Sequence, residues 1–188
     1  MSETWKLLVL HQAAFQGMFI AKNIILKQKI GMQIRGQNKE ATIATSFFAL
    51  FIIGSIVLSF LENPIGKIES THHSYYSALG LIFLIWSLII SGFSLAGLKD
   101  SWRVGIIEGQ ETALITSGIY MYTRNPFFVS YILLFSGYML LLQNVILLPF
   151  VVLNAVLVHK MVLREERYLE SIHGEQYSNY KKSVRRYF

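Results

Sequence analysis

Two long runs of the chain carry no charge at all: Ala41 to Leu61 and Tyr75 to Leu98. A bilayer core is crossed by about 20 mostly apolar residues in a helix. Hydrocarbon offers no partner to a backbone N–H or C=O, so such a run must be helical if it enters lipid. Phe127 to Gln143 and Val145 to His159 are shorter and equally free of charge. Leu7 to Ala21 contains His11, Gln12 and Gln16 and extends past Lys22 to Leu26. The pattern predicts an all-α, polytopic membrane helix bundle of about five spans in one domain. Residues 1–98 hold three spans, and residues 99–188 hold a long connection, a helical hairpin and a tail.

Composition agrees, with 53% hydrophobic against 15% charged residues, which sets the chain apart from soluble globular domains. The first segment lacks a basic start and a small-residue cleavage site, so it reads as a helix and not as a secretory signal. The absence of cysteine excludes disulfides, thiol catalysis and cysteine metal sites. His72-His73 has no further ligand at metal spacing. His11 and His159 read as satisfied histidines in apolar helices. No glycine-rich phosphate loop occurs.

A net charge of +6 could suggest nucleic acid, but the placement of the charges argues for a membrane. Of the 17 basic residues, all but Lys6 and Lys67 fall in Lys22–Lys39, in 99–124 or in 160–186. By the positive-inside rule these three stretches are cytoplasmic, the N-terminus is outside and the C-terminus inside. Residues 62–74, with Asn63-Pro64, Gly66, Glu62 and Glu69, read as an outer loop. Residues 99–125 mix Trp102, Arg103, Gly105 and Gly109 with apolar side chains and should pack against the bundle. Helical spacing continues from Arg164 to Tyr180, with Gly174 as a stop. Tyr177, Tyr180 and Tyr187 lie among basic residues, as in a helix resting on an anionic leaflet.

Gly118-Ile119-Tyr120-Met121-Tyr122-Thr123-Arg124-Asn125-Pro126 sits where one apolar helix begins, and Arg164-Glu165-Glu166 where the next ends. A turn at Gln143-Asn144 folds the two helices into a hairpin, so these polar groups should meet at one membrane face. Charges there need partners or a ligand. The carboxylates either mark a membrane exit, paired with Lys160, Arg164 or Arg167, or one of them faces inward and accepts hydrogen bonds from ligand hydroxyls such as a ribose diol. Adjacent helical residues point about 100° apart, so at most one should face a pocket. Arg124 is either an interfacial anchor or part of the site. Asn125 before Pro126 reads as an N-cap, and the helix start behind it can hold a carboxylate. Gly118 suits a turn that other residues would strain.

These residues resemble the isoprenylcysteine carboxyl methyltransferase family and the related phospholipid N-methyltransferases. That family has Gly-x-Tyr-x-x-x-Arg-His/Asn-Pro before a helical hairpin, then an acidic pair, a Leu, and Gly-x-x-Tyr-x-x-Tyr. Here they read Gly118, Tyr120, Arg124-Asn125-Pro126, Glu165-Glu166, Leu169, Gly174, Tyr177 and Tyr180. The match covers about residues 99–187. The resemblance implies an integral enzyme of a bacterial cytoplasmic membrane that binds S-adenosylmethionine, releases S-adenosylhomocysteine, and methylates a lipidic or hydrophobic acceptor at the cytoplasmic face. It implies cofactor contacts from Thr112, Ala113, Leu114, Ile115, Tyr120, Asn125, Pro126, Phe127, Phe128 and Glu165.

Asn125 stands where eukaryotic carboxyl methyltransferases have His. Met161 stands where they have an Arg linked to the substrate, with Arg103, Arg124 or Lys160 as substitutes, so Arg103 and Met161 are the expected substrate-side residues. Arg124 and Glu166 are the expected catalytic residues, Glu166 as a base if the acceptor is an amine. No metal or nucleic acid is implied. An NADPH-dependent lipid or sterol reductase relative, and a non-catalytic membrane subunit of the same fold, are the competing classes.

Overall fold

The computed structural model describes residues 3–36, 39–61, 65–69, 71–107, 109–110 and 112–187. Among the described residues, five α-helices make up the bundle: α1 Thr4–Ile30, α2 Lys39–Phe60, α3 His73–Gly97, α4 Pro126–Leu142 and α5 Leu148–Ser183. The stretches Thr42–Phe60, His73–Gly97 and Val145–Ser183 are each long and apolar enough to cross a membrane. Helix α4 has 17 residues, about 25 Å at 1.5 Å per residue, and falls short of that measure. Helix α1 falls short through its polar residues. The five helices expected from the sequence are therefore present, with three of them meeting the criterion for a span.

Helix α4 lies at the centre, with Leu134, Phe135 and Tyr138 almost fully buried. It approaches α3 closely at a glycine pair. A Cβ on Gly80 would lie 2.8 Å from the Leu141 backbone nitrogen and 2.9 Å from the Gly137 carbonyl oxygen. Backbone atoms cannot yield as a flexible side chain can, so Gly80→Ala should force the helices apart. We expect a loss of about 1–3 kcal/mol in thermal unfolding in detergent. Gly17, with nothing near its would-be Cβ, supplies the control: Gly17→Ala should be neutral or stabilising.

Edge-to-face and stacked rings tie α1, α2 and α4 together. Trp102 meets Phe127 at 5.0 Å, Phe127 meets Tyr131 at 5.2 Å, and Phe48 meets Tyr131 at 5.3 Å. His11 is the satisfied core histidine expected: its ring nitrogens lie 2.9 Å from Ser87 Oγ, 3.2 Å from the Leu84 carbonyl and 3.3 Å from Tyr138 Oη. His159 differs from expectation. It is exposed and pairs with Tyr187 Oη at 2.9 Å, because the helix turns it away from the bundle.

The 99–125 connection packs against the bundle as its apolar residues require. Val104 N–H donates to Ile34 C=O at 2.8 Å, and Gly36 N–H donates to Val104 C=O at 3.0 Å. Trp102 Nε1 donates to Asn23 Oδ1 at 2.8 Å, and Lys29 pairs with Asp100 at 2.7 Å. At the other end of α4, Gln143 takes a left-handed conformation (φ 47°) and Asn144 Oδ1 accepts from Ile146 N–H at 2.9 Å, which makes the predicted hairpin turn. Ile68 N–H reaches Gln143 C=O at 2.7 Å. Glu62 and Asn63-Pro64 lie outside the described residues.

One expectation for α5 needs correction. The helix continues through the glutamate pair, as the spacing beyond Arg164 predicts. Gly174 then interrupts it at φ 50°, ψ −121°, a conformation open essentially to glycine alone. The interruption turns Tyr177 and Tyr180 inward: they are 1% and 8% exposed, buried in protein and not spread on a lipid surface.

Candidate active site

A cavity of about 340 Å³ opens where the 99–125 connection, the start of α4 and the middle of α5 converge, within the size range of small-molecule sites. Thr112, Ala113, Leu114 and Ile115 form one wall, and Tyr120, Asn125, Pro126, Phe127 and Phe128 another. Glu165, Arg124, Arg103 and Met161 also line it. Residues expected to act together from their order along the chain are thus gathered around one space. Glu166 does not line it, in keeping with the 100° step between adjacent helical residues.

Local backbone chemistry explains the placement. Gly118 adopts φ 64° and starts a 3₁₀ turn, Gly118–Met121, which buries Tyr120. Its hydroxyl pairs with Ser94 Oγ at 2.8 Å. Burial, only partly offset by that hydrogen bond, raises the phenol pKa well above the ordinary tyrosine range, so the group stays protonated. Pro126 occupies the first position of α4, and the first helical bond runs from Val129 N–H to Asn125 C=O at 3.1 Å. The N–H groups of Phe127 and Phe128 precede that bond and have no partner within the helix.

Asn125 holds the N-cap position but makes no side-chain cap, contrary to the sequence reading. Its amide is used elsewhere, donating to Glu166 Oε1 at 3.3 Å and to the Arg186 carbonyl at 3.2 Å.

The two carboxylates separate sharply. Glu166 is 4% exposed. Its Oε1 accepts from Arg124 Nε at 3.1 Å and Nη2 at 2.9 Å. Its Oε2 accepts from Arg186 Nε at 3.0 Å and Nη2 at 2.9 Å. Neither arginine is among the partners named from sequence. Gripped between two guanidiniums and turned away from the cavity, Glu166 is unsuited to the role of base; the geometry makes it an anchor. The hydrogen bonds to Glu166 hold the Arg186 pKa above the ordinary arginine value. Glu165, on the cavity wall, makes no hydrogen bond or ion pair with the described residues. Its oxygens are open to a ligand.

Arg103 Nε donates to Gln110 Oε1 at 2.7 Å, and Nη1 donates to the Asp100 and Trp102 carbonyls, each at 2.8 Å. Partial burial lowers its pKa and Asp100 opposes that shift. Arg103 is therefore a fixed cation at the cavity wall.

Sequence reasoning missed Asn154. It is 2% exposed, lines the cavity, and donates from Nδ2 to the Phe150 carbonyl at 2.8 Å. Its carbonyl oxygen has no partner among the described residues. The available signal was an amide in the middle of the Val145–His159 run. Along α5, Asn154 lies eleven residues before Glu165, about 16 Å at 1.5 Å per residue. The cavity thus extends well into the apolar zone, between Phe48 of α2 and Tyr131 and Phe135 of α4.

Comparison with known proteins gives a consistent assignment. A family model for phospholipid methyltransferase matches residues 74–176. A protein-S-isoprenylcysteine O-methyltransferase of Schizosaccharomyces pombe is 33% identical over 127 residues, covering 67% of this chain and 52% of the relative. A methanethiol S-methyltransferase of Crocosphaera subtropica is 30% identical over 134 residues, covering 70% of this chain and 50% of the relative. The chain spans about half the length of these curated relatives. The matched stretch holds Arg103, the Thr112–Phe128 wall and both glutamates, and more than half of the sequence falls within it: the chain belongs to the phospholipid methyltransferase family.

Proposed function

We propose that this protein is an integral membrane methyltransferase that uses S-adenosylmethionine to methylate a lipidic or hydrophobic acceptor at the cytoplasmic face. The observation that carries this reading is the cavity itself. One part presents the unpaired Glu165 carboxylate beside free helix-start N–H groups, and the rest runs down between apolar helices. The residues fit the donor. A carboxylate acceptor matches a ribose diol, N–H groups at a helix start match an amino-acid carboxylate, and the Thr112–Ile115 wall offers apolar contact. The bound donor would supply an electrophilic methyl group on a sulfonium.

The chain's own work is then positioning and water exclusion. Glu165 and the Asn125–Phe128 turn hold one partner, while Phe48, Tyr131 and Phe135 surround the other with apolar surface. Arg103 presents positive charge suited to an anionic acceptor such as a carboxylate; an amine acceptor would need to arrive deprotonated or lose its proton to water. Met161 adds an apolar side chain to the cavity wall. The charge distribution supports a cytoplasmic position for the cavity mouth and the C-terminus, with five membrane crossings and the N-terminus outside.

Incubating the purified protein in lipid nanodiscs with methyl-labelled S-adenosylmethionine tests the reading. Label should enter the organic-extractable fraction, and mass spectrometry should identify the acceptor. No transfer to any lipid or hydrophobic acceptor, with donor binding intact, would point to a non-catalytic subunit. Asn154 gives a separate prediction. Asn154→Leu removes an unpaired acceptor deep in the cavity, so KM for the hydrophobic acceptor should rise about tenfold for one lost hydrogen bond. Affinity for S-adenosylhomocysteine should stay unchanged.

A further inference from the structure

The last residues of the chain fold back onto the start of α4. Arg124 N–H donates to Arg185 C=O at 2.9 Å, and Arg124 Nη1 donates to Lys181 C=O at 3.0 Å and to Val184 C=O. Thr123 Oγ1 donates to Arg186 C=O at 3.0 Å, the same carbonyl that accepts from Asn125 Nδ2. The Arg186 side chain closes the connection through the two bonds to Glu166 described above. Tyr180 Oη donates to Tyr120 C=O at 2.7 Å, and Tyr177 and Tyr180 both face the cavity.

The C-terminal segment therefore holds Thr123, Arg124 and Asn125 through its backbone carbonyls, while the Arg186 side chain reaches Glu166. A surface tail serving only to attract anionic lipid would need its basic side chains free, and Arg185 meets that description, being exposed. Arg186 does not. Its guanidinium turns inward, and its side chain is only 33% exposed. Arg-to-carboxylate contacts using two nitrogens are directional as well as strong, which suits holding a loop in one orientation.

We propose that residues 181–186 form a strap that completes the donor site, with Arg186 as a positioning residue that acts through Glu166 to fix Arg124-Asn125-Pro126. This rests on the reading of the cavity as a donor site. The strap sets where the helix-start N–H groups point, while Gly174 and the inward tyrosines bring the strap to the cavity edge.

Calorimetric titration of the full-length protein with S-adenosylhomocysteine tests it, because stoichiometry and affinity are read separately. Arg186→Met should weaken binding about tenfold or more at wild-type stoichiometry. Arg185→Met, which removes the same charge, should stay within about twofold of wild type. Arg186→Lys should fall between, since an ammonium keeps the charge and loses the planar fork. Wild-type affinity in Arg186→Met overturns the proposal. So does a lowered stoichiometry at unchanged affinity, which marks a merely structural role, and so does an equal loss in both Met variants, which marks attraction by net charge alone. If Arg186→Met does not fold, Arg186→Lys decides: intermediate affinity supports the strap and wild-type affinity refutes it. A wild-type protein that binds no S-adenosylhomocysteine refutes the donor-site reading, and the strap's role falls with it.

Discussion

Glu166→Ala should unfold the protein far more readily than any other single change at the site. Removing the carboxylate leaves two guanidiniums facing each other across a buried gap. The Arg124 side chain is only 7% exposed and cannot turn to water, whereas Arg186 can do so in part. Breaking a buried ion pair by deleting one partner costs about 3–5 kcal/mol. For a chain of this size that corresponds to roughly 10 °C in apparent melting temperature, measurable by fluorescence-detected unfolding in detergent. Glu166→Gln should lose less, keeping one acceptor oxygen but turning an NH₂ group toward an arginine. The same variants separate the two roles considered for Glu166. A catalytic base would leave the melting temperature of Glu166→Ala near wild type and remove only turnover, whereas an anchor lowers stability and donor affinity together.

The second large effect is expected at the neighbouring residue and has the opposite character. Glu165→Ala should leave the melting temperature of the ligand-free protein unchanged, since Glu165 makes no hydrogen bond or ion pair with the described residues. Binding of S-adenosylhomocysteine should weaken roughly tenfold to a hundredfold, as expected from losing a charge-assisted hydrogen bond worth about 1.5–3 kcal/mol. Glu165→Gln retains an acceptor oxygen without the charge and should show a smaller loss. Two adjacent glutamates would thus give a stability phenotype and a binding phenotype, because one helical step sends one side chain into the fold and the other into the cavity.

Much of this arrangement was legible in the sequence, for identifiable reasons. Uncharged runs at Ala41–Leu61 and Tyr75–Leu98 have few fates besides a helix in a bundle. Pro126 after Asn125 fixed the start of α4, and Gln143-Asn144 fixed its turn into α5, because both depend on local backbone chemistry. The expectation that only one glutamate would face the cavity followed from helical geometry alone. What could not be read was long-range pairing. The partner of Glu166 lies 20 residues on at Arg186 and 42 residues back at Arg124, and nothing in local spacing favours these arginines over Arg164 or Arg167. Asn125 looked like a cap because caps are local, but its amide is recruited by the C-terminal strap. Tyr177 and Tyr180 looked interfacial because they sit among lysines and arginines, and only the bend at Gly174 turns them inward. Asn154 shows how a lone amide in an apolar run can come to face a cavity.

The cavity behind Arg124-Asn125-Pro126 is proposed to hold an adenosyl methyl donor. Calorimetric titration of the detergent-solubilised wild-type protein with S-adenosylhomocysteine, and in parallel with NADPH, addresses it directly. One site of micromolar affinity for the adenosyl compound, weakened by Glu165→Ala, and no heat from NADPH are expected. Binding of NADPH without S-adenosylhomocysteine, or binding of neither by a folded protein, would contradict it.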